Sequence, residues 1–560
     1  MKKKIKVLSL LLCLVLLCCL FCSCKNENTA TTNEVSSEIN IDINDIEGSI
    51  DLTKAHKITL NGETISAENN CAEIKDTVVK IKDTGIYELS GTLTDGQVKV
   101  TADDNATVVI VLNGVDITNK HGCAIHIKKA KQAFVVAWSG SENKLSDTEN
   151  YEFSADDTDG EPDATIFSKS DLVVAGKGTL NIDANYSTAI KSKDNLIVKD
   201  LTLSIDSVDD GIKGRDSLEL STASIKIDCE NDGIKTTNDE DDTLGNLKIL
   251  SGNFEINAGK DAIHSKNQID ISGGDFKISC EDDGVHSDSI LNITDGNIKI
   301  EKSYEGLEAE NINISGGNIE IKASDDGINA AGGNDSSQQN SFGGGDKFKG
   351  NANASIKVTG GFIYINADGD GFDSNGTAEM SGGTLLVDGP TNGGDGAIDY
   401  DISFTMTGGL LVACGSSEMA QAVSDTSTQN CIMVNLSKQS ADTLFNLSDS
   451  NGNSIVTYSP SKEYQNVVIC SDKIKTGETY TISTGGQCSG ENNHGLYQNG
   501  EYTGGTKAEE ITVNSVVTSN SGFMGGMGGP NGGMGRGNNM EPPNGEMRQE
   551  PPNGRGKPAF

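Results

Sequence analysis

One phrase recurs through the middle of this chain: VDDGIKGRDS, ENDGIKTTND, EDDGVHSDSI, SDDGINAAGG. Aligned on its aliphatic position, it gives Ile190, Ile212, Ile234, Ile263, Val285, Leu307, Ile328, Phe372 and Ile398. Most steps are about 22 residues, and self-similarity at a fixed period of this size marks a repeat architecture. Two longer steps contain the polar inserts TTNDEDDTLGN and GGNDSSQQNSFGGGDKFKGNANA, which read as loops leaving a regular stack.

Within one repeat, HSKNQIDISGGDFKISCEDDGV, Ile269 and Ile271 alternate with polar residues. A Gly-Gly pair follows, and Phe276 and Ile278 then alternate again. Period-two patterning in short runs broken by glycine turns predicts strands, and no helical period is present. About three strands per repeat of roughly 22 residues predict an all-β right-handed parallel β-helix, stabilised by stacking of neighbours because a lone repeat cannot bury its apolar edge. Upstream, Ile166 and Ile125 continue the series, and YELSGTLTDGQVKV and ATVVIVLNGVDI place the start of the stack near Gly85.

The ends organise the rest. Residues 1–24 have a basic start and a short apolar run, a signal-peptide pattern, and Phe21-Cys22-Ser23-Cys24 reads as a lipobox with Cys24 lipidated; secretion with cleavage nearby is the alternative. Residues 25–48 are polar and read as a flexible tether. A cap and the β-helix are expected over 49–415. Runs such as CIMVNLS and QNVVICS predict a small C-terminal antiparallel β region over 416–521, which would cover the open edge of the last repeat. The Gly/Pro/Met-rich stretch 522–560 reads as disordered. The expected location is extracellular, anchored to the cell membrane as a lipoprotein, with the chain a monomer.

The formal charge of −38 argues against nucleic acid, whose binders carry a basic footprint. Of 13 cysteines five lie in the signal region, and no C-x-x-C pattern suggests zinc. Cys229 and Cys280 fall at equivalent places two repeats apart, with Ala258 between them, beyond disulfide reach and suited to small core positions.

Two residues before the aliphatic position stand Asp210, Asp232, Asp261, Asp283, Glu305, Asp326 and Asp370. Stacked in a parallel coil, like charges about 5 Å apart need hydrogen bonds or cations. Each Asp could accept backbone N–H groups in its own turn, with the glycine at positive φ. The other reading is Ca2+, a hard cation taking carboxylate and carbonyl oxygens. Oxygen ligands converge in three places: Asp156, Asp157 and Asp159 with Glu161 and Asp163; Asp239 and Asp241 with Asn238, Glu240 and Asp242; and Asp370, Asp373, Asn375, Asp395, Asp399 and Asp401 with Asp368. None completes an EF-hand loop; the third set is the best candidate because the repeat brings Asp373 beside Asp399. A further column follows the aliphatic position: Lys191, Lys213, Lys235, His264, His286, Glu308, Asn329, Asp373, Asp399. Its lysines either form a cationic strip for an acidic polysaccharide or balance the adjacent Asp column.

The DDGIK repeats, SGG turns, FDSNG and GAIDYD, after YELSGTL and VVIVLNGVDIT, resemble the bacterial cell-surface carbohydrate-binding proteins with a pectate-lyase-like β-helix. The resemblance spans about residues 50–521. It implies calcium binding and attachment to plant-wall polysaccharide, polygalacturonate or cellulose, with Asp373, Asn375, Asp399 and Asp401 at the metal and no catalytic residue. Two other classes stay open. A calcium-dependent polysaccharide lyase needs a Lys or Arg base, and Lys213 and Arg215 lie near Asp210 and Asp232, although Lys213 belongs to a repeating column. A purely structural adhesin or spacer is favoured by the tether and by the scarcity of aromatics, 5% of residues, for sugar stacking.

Overall fold

The structure is a computed structural model and describes residues 39–153, 160–331 and 351–520. The residues called signal peptide, Cys24, tether to residue 38, Asp156, Asp157, Asp159 and C-terminal tail lie outside the described residues. Among the described residues there is no α-helix, and 39 strands join one sheet dominated by parallel pairing.

Alternation sets the local structure. In the strand Asp275–Cys280, Phe276, Ile278 and Cys280 are buried while Asp275 and Lys277 are exposed. Each strand pairs in parallel with the strand at the same place in the next repeat, so like side chains meet. One ladder runs Phe254, Phe276, Ile298, Ile319, Ile363, Leu385, Leu411. Another runs Ile256, Ile278, Ile300, Ile321, Ile365, Val387, Ala413. The short strands carry the aligned aliphatic residues from Ile125 and Ile166 through Ile190 to Phe372 and Ile398. Full burial of each such side chain contributes about 1.5–3 kcal/mol against its conformational entropy. Cys229, Ala258 and Cys280 are register partners, and both cysteines are free and buried.

Two kinds of glycine punctuate the repeat. Gly274, Gly296, Gly317, Gly361, Gly383 and Gly409 sit at positive φ directly before a strand, and Gly252 does so within the long strand Asn246–Ala258, where an L side chain is strained. The glycines that follow the acidic column behave differently from the turn expectation. Gly211, Gly233, Gly284, Gly306, Gly327 and Gly371 are not at positive φ. They serve close packing: a Cβ on Gly327 would come 2.5 Å from the Gly371 carbonyl oxygen. Ala262 and Ala397 stand at the same place in other repeats, so the requirement is set layer by layer.

The parallel pairing begins earlier than Gly85. His56–Gly62 already pairs in parallel with Gly85–Leu93, because KITLNG carries the same alternation without the acidic phrase. At the other end Leu410–Gly415 meets Tyr464–Cys470 in antiparallel register, which covers the edge of the last parallel strand. A six-stranded antiparallel sheet follows, and Phe445, Tyr458, Tyr480 and Ile482 share a core with Leu386 and Val412 of the parallel stack.

Adjacent residues of one strand test the alternation. Ile321 is buried in the ladder and Lys322 is exposed. Ile321→Ala should lower unfolding stability by about 2–5 kcal/mol, whereas Lys322→Ala should stay within about 0.5 kcal/mol. Denaturant unfolding of both variants measures this, and equal losses would contradict the assignment of faces.

Candidate functional site

The corner before each short strand stacks the acidic residues. Asp210, Asp232, Asp261, Asp283 and Glu305 are buried, and Asp326 and Asp370 are half-buried. Their first hydrogen bonds run between repeats and not within one turn. Asp232 N–H donates to Asp210 Oδ1 at 3.2 Å, Asp261 N–H to Asp232 Oδ1 at 3.2 Å, and Asp283 N–H to Asp261 Oδ1 at 3.1 Å. Further along, Asp370 N–H donates to Asp326 Oδ1 at 2.6 Å and Gly396 N–H to Asp370 Oδ1 at 2.5 Å. One carboxylate oxygen of Asp210, Asp232, Asp261, Asp326 and Asp370 thus ties its layer to the next.

The other oxygen faces the side chain three residues on, and that partner changes along the stack. Lys213 Nζ lies 2.5 Å from Asp210 Oδ2, and Lys235 pairs with Asp232 in the same way. His264 Nδ1 lies 3.1 Å from Asp261 Oδ2, and His286 Nδ1 3.2 Å from Asp283 Oδ2. After His286 the position is Glu308, then Asn329, Asp373 and Asp399. The column keeps its negative charge and loses its cations.

Electrostatics differ between the ends of the column, while between them burial keeps the Asp232 carboxyl raised despite Lys235. Burial alone would raise the Asp210 carboxyl, yet the Lys213 ammonium brings it below the ordinary carboxylate value. Burial, with the charges of Asp283 and Asp326, pushes Glu305 well up. Burial and the Asp370 charge raise Asp326 to about 8. Burial raises Asp370 to about 7, against a lowering bond from Gly396 N–H. Burial and the charges of Asp326, Asp370 and Asp399 push Asp373 well above its usual range.

Asp326, Asp370 and Asp373 each offer a carboxylate oxygen within 4.8 Å of the others. The Oδ1 of buried Asn329, register partner of Asp373, has no hydrogen-bond partner, while its Nδ2 donates to Glu305 Oε2 at 3.0 Å. Asp373 and Asp399 are register partners, and Asp399 Oδ1 accepts Tyr400 N–H at 3.0 Å and the Gln421 amide. Asp395 is half-buried, close enough for its charge to raise Asp326 and Asp370. Asn375 and Asp401 stand just past their strands, where their backbone N–H groups donate to Ala330 and Ser374 carbonyls. The donor set is all oxygen, which suits a hard cation. Asp326 and Asn329 were visible in the two columns but absent from the predicted site set; following both columns to the layer where their charges stop compensating would have found them.

The other predicted residues are engaged locally. Asp239 is exposed, and Asp241 Oδ1 accepts the N–H and hydroxyl of Thr243 at 2.9 and 2.7 Å. Asn238 Oδ1 accepts N–H from Glu240 and Asp241, and Glu240 pairs with Arg215 at 2.6 Å. Lys191 pairs with Asp163 at 2.7 Å, so Lys191, Lys213 and Lys235 balance carboxylates of this chain and do not form an open cationic strip.

A second feature lies on the third-strand face. A groove of roughly 560 Å³ is lined in successive layers by Asn253, Asp275 and Asn297 and by Lys277, Lys299 and Glu320. Beyond it, Glu320 is the register partner of Tyr364, whose ring stacks on His494 with centroids 4.6 Å apart. The groove offers amide, carboxylate and ammonium groups at strand spacing, an arrangement suited to the hydroxyl groups of an extended polymer.

A curated relative from Acetivibrio thermocellus, described as a carbohydrate-binding domain-containing protein, is 36% identical over 141 residues, 25% of this chain and 49% of the relative. The chain thus matches about half the length of that relative. A solved structure, described as the polysaccharide lyase-like protein from C. thermocellum in a gadolinium derivative, is 33% identical, with 43% of this chain and 96% of that chain covered and a TM-score of 0.42. The family model for carbohydrate-binding domain-containing proteins matches residues 75–340 and again 259–393, together more than half of the sequence. The chain belongs to the carbohydrate-binding domain-containing protein family.

Proposed function

We propose that this chain is a non-catalytic, calcium-dependent binder of an acidic polysaccharide of the polygalacturonate class. In this reading its parallel ladders wind as a right-handed β-helix, and a lipid on Cys24 holds it outside the cell membrane. The carrying observation is the loss of cations along the acidic column. Where Lys and His give way to Glu308, Asn329 and Asp373, the carboxylates of Asp326, Asp370 and Asp373 face one another with backbone N–H donors at Asp326 and Asp370 but no paired cationic side chain among the described residues. An external cation removes that repulsion. Asp326, Asp370 and Asp373, with the Asn329 amide oxygen and the flanking Asp395 and Asp399, would hold calcium.

Bound calcium supplies positive charge and further coordination positions for oxygen ligands. The three carboxylates are half-buried, so the site is reachable from solvent. A uronate carboxylate is a suitable outside ligand, and the groove lined by Asn297, Lys299 and Glu320 is where we place the rest of such a chain. The lyase reading is less supported. A base must be able to take a proton, and Lys213 is held as an ion pair against Asp210 while Arg215 is held against Glu240.

Incubation of the purified chain with polygalacturonate and calcium should give co-sedimentation and no rise in unsaturated-product absorbance. Asp370→Asn with Asp373→Asn should reduce calcium affinity at least tenfold and weaken co-sedimentation. Product formation would establish the lyase, and neither binding nor product would leave a spacer.

Stability should also depend on pH in a way that calcium reverses. Asp326 at about 8 and Asp370 at about 7 hold protons in the folded state that the unfolded chain releases near its ordinary carboxylate value. The folded state therefore binds more protons, and without divalent cations stability falls as pH rises from about 4 through these two values. Thermal unfolding in chelator should show that decline, and saturating calcium should remove it; a stability that rises over this range in chelator would contradict the site.

A further inference from the structure

Between the lysine-balanced layers and the all-oxygen cluster, two layers carry imidazole. His264 and His286 are register partners whose rings stack with centroids 4.7 Å apart and planes 8° apart. His286 is buried, as are Asp283 and Glu308. Its Nδ1 lies 3.2 Å from Asp283 Oδ2, 3.4 Å from Glu308 Oε2 and 3.8 Å from Asp261 Oδ2.

Three carboxylates thus converge on one ring nitrogen. A single N–H serves one acceptor well, and a charge-assisted bond between nitrogen and carboxylate settles at about 2.7–2.9 Å. The two nearest separations are longer than that. They match the distance between neighbouring ligand atoms around a tetrahedral metal, about 3.4 Å for bonds of about 2.1 Å. A second observation points the same way: Asp283 Oδ1, in a residue only 2% exposed, has no hydrogen-bond partner. The backbone N–H of Asp283 is already directed to Asp261.

We propose that His286, Asp283 and Glu308, with Asp261 alongside, form a site for a borderline divalent transition-metal ion such as zinc or cobalt. A mixed imidazole and carboxylate set favours such ions, whereas calcium prefers oxygen alone. The site differs from the proposed calcium cluster in both position and ligand chemistry. The column would then be compensated in sequence by ammonium groups, a transition metal and a hard cation.

Cobalt(II) titration of the chelator-stripped full chain tests this. Visible d–d absorption should grow to saturation at one cobalt per chain, and zinc should displace it. His286→Gln should abolish the band and lower zinc affinity at least tenfold in calorimetry, with calcium binding unchanged. Glu308→Gln should give the same loss and decides the matter should His286→Gln fail to fold. Asp370→Asn with Asp373→Asn should leave the cobalt band intact, which separates this site from the calcium reading. Absence of saturable cobalt and zinc binding, or binding that survives in a folded His286→Gln or Glu308→Gln chain, would overturn the proposal.

Discussion

In-register parallel pairing is the constraint on which everything else depends. It forces every residue to lie against its counterpart one repeat away, so a chemical choice made once is made as a column. For aliphatic residues this is favourable without qualification, and Ile256, Ile278, Ile300, Ile321 and Ile365 form a continuous apolar ladder. For carboxylates the same pairing concentrates like charge in a partly dry environment, where it is costly unless each charge is met.

The acidic corner shows how the chain meets that cost and where it stops doing so. One oxygen of Asp210, Asp232, Asp261, Asp326 and Asp370 binds the next layer's backbone, so these residues help hold the register. The second oxygen needs a cation. Lysine supplies it at Asp210 and Asp232, the imidazoles of His264 and His286 stand against Asp261 and Asp283, and from Glu305 onward the following column is itself acidic or neutral. A purely structural column would gain from lysine throughout. Its replacement by Glu308, Asn329 and Asp373 leaves acidic charge unmet in the bare chain, and that unmet charge is what the proposed cation sites would neutralise.

Much of this was legible in the sequence because register in a repeat is arithmetic. The positions aligned at about 22-residue spacing are the positions that pair, from Ile125 to Ile398, and Asp373 meets Asp399 as the spacing requires. The start of the stack was missed because His56–Gly62 carries the strand alternation without the acidic phrase. The role of the glycines after the acidic column was misread because composition does not distinguish positive φ from close approach; Gly274 has the first and Gly327 the second. The lysine column admitted two readings because spacing fixes a side chain's layer but not where its ammonium group turns. The insert with Asp239 and Asp241 looked ligand-rich for a related reason: local turns and Arg215 engage its polar groups.

A calcium-soaked crystal of this chain, with anomalous scattering recorded, tests the central claim most directly. The account predicts a peak bounded by the carboxylates of Asp326, Asp370 and Asp373, and none beside Asp210 or Asp232, whose lysines already neutralise them. A fully loaded crystal with its calcium elsewhere, or with ions spread evenly along the acidic column, would contradict it.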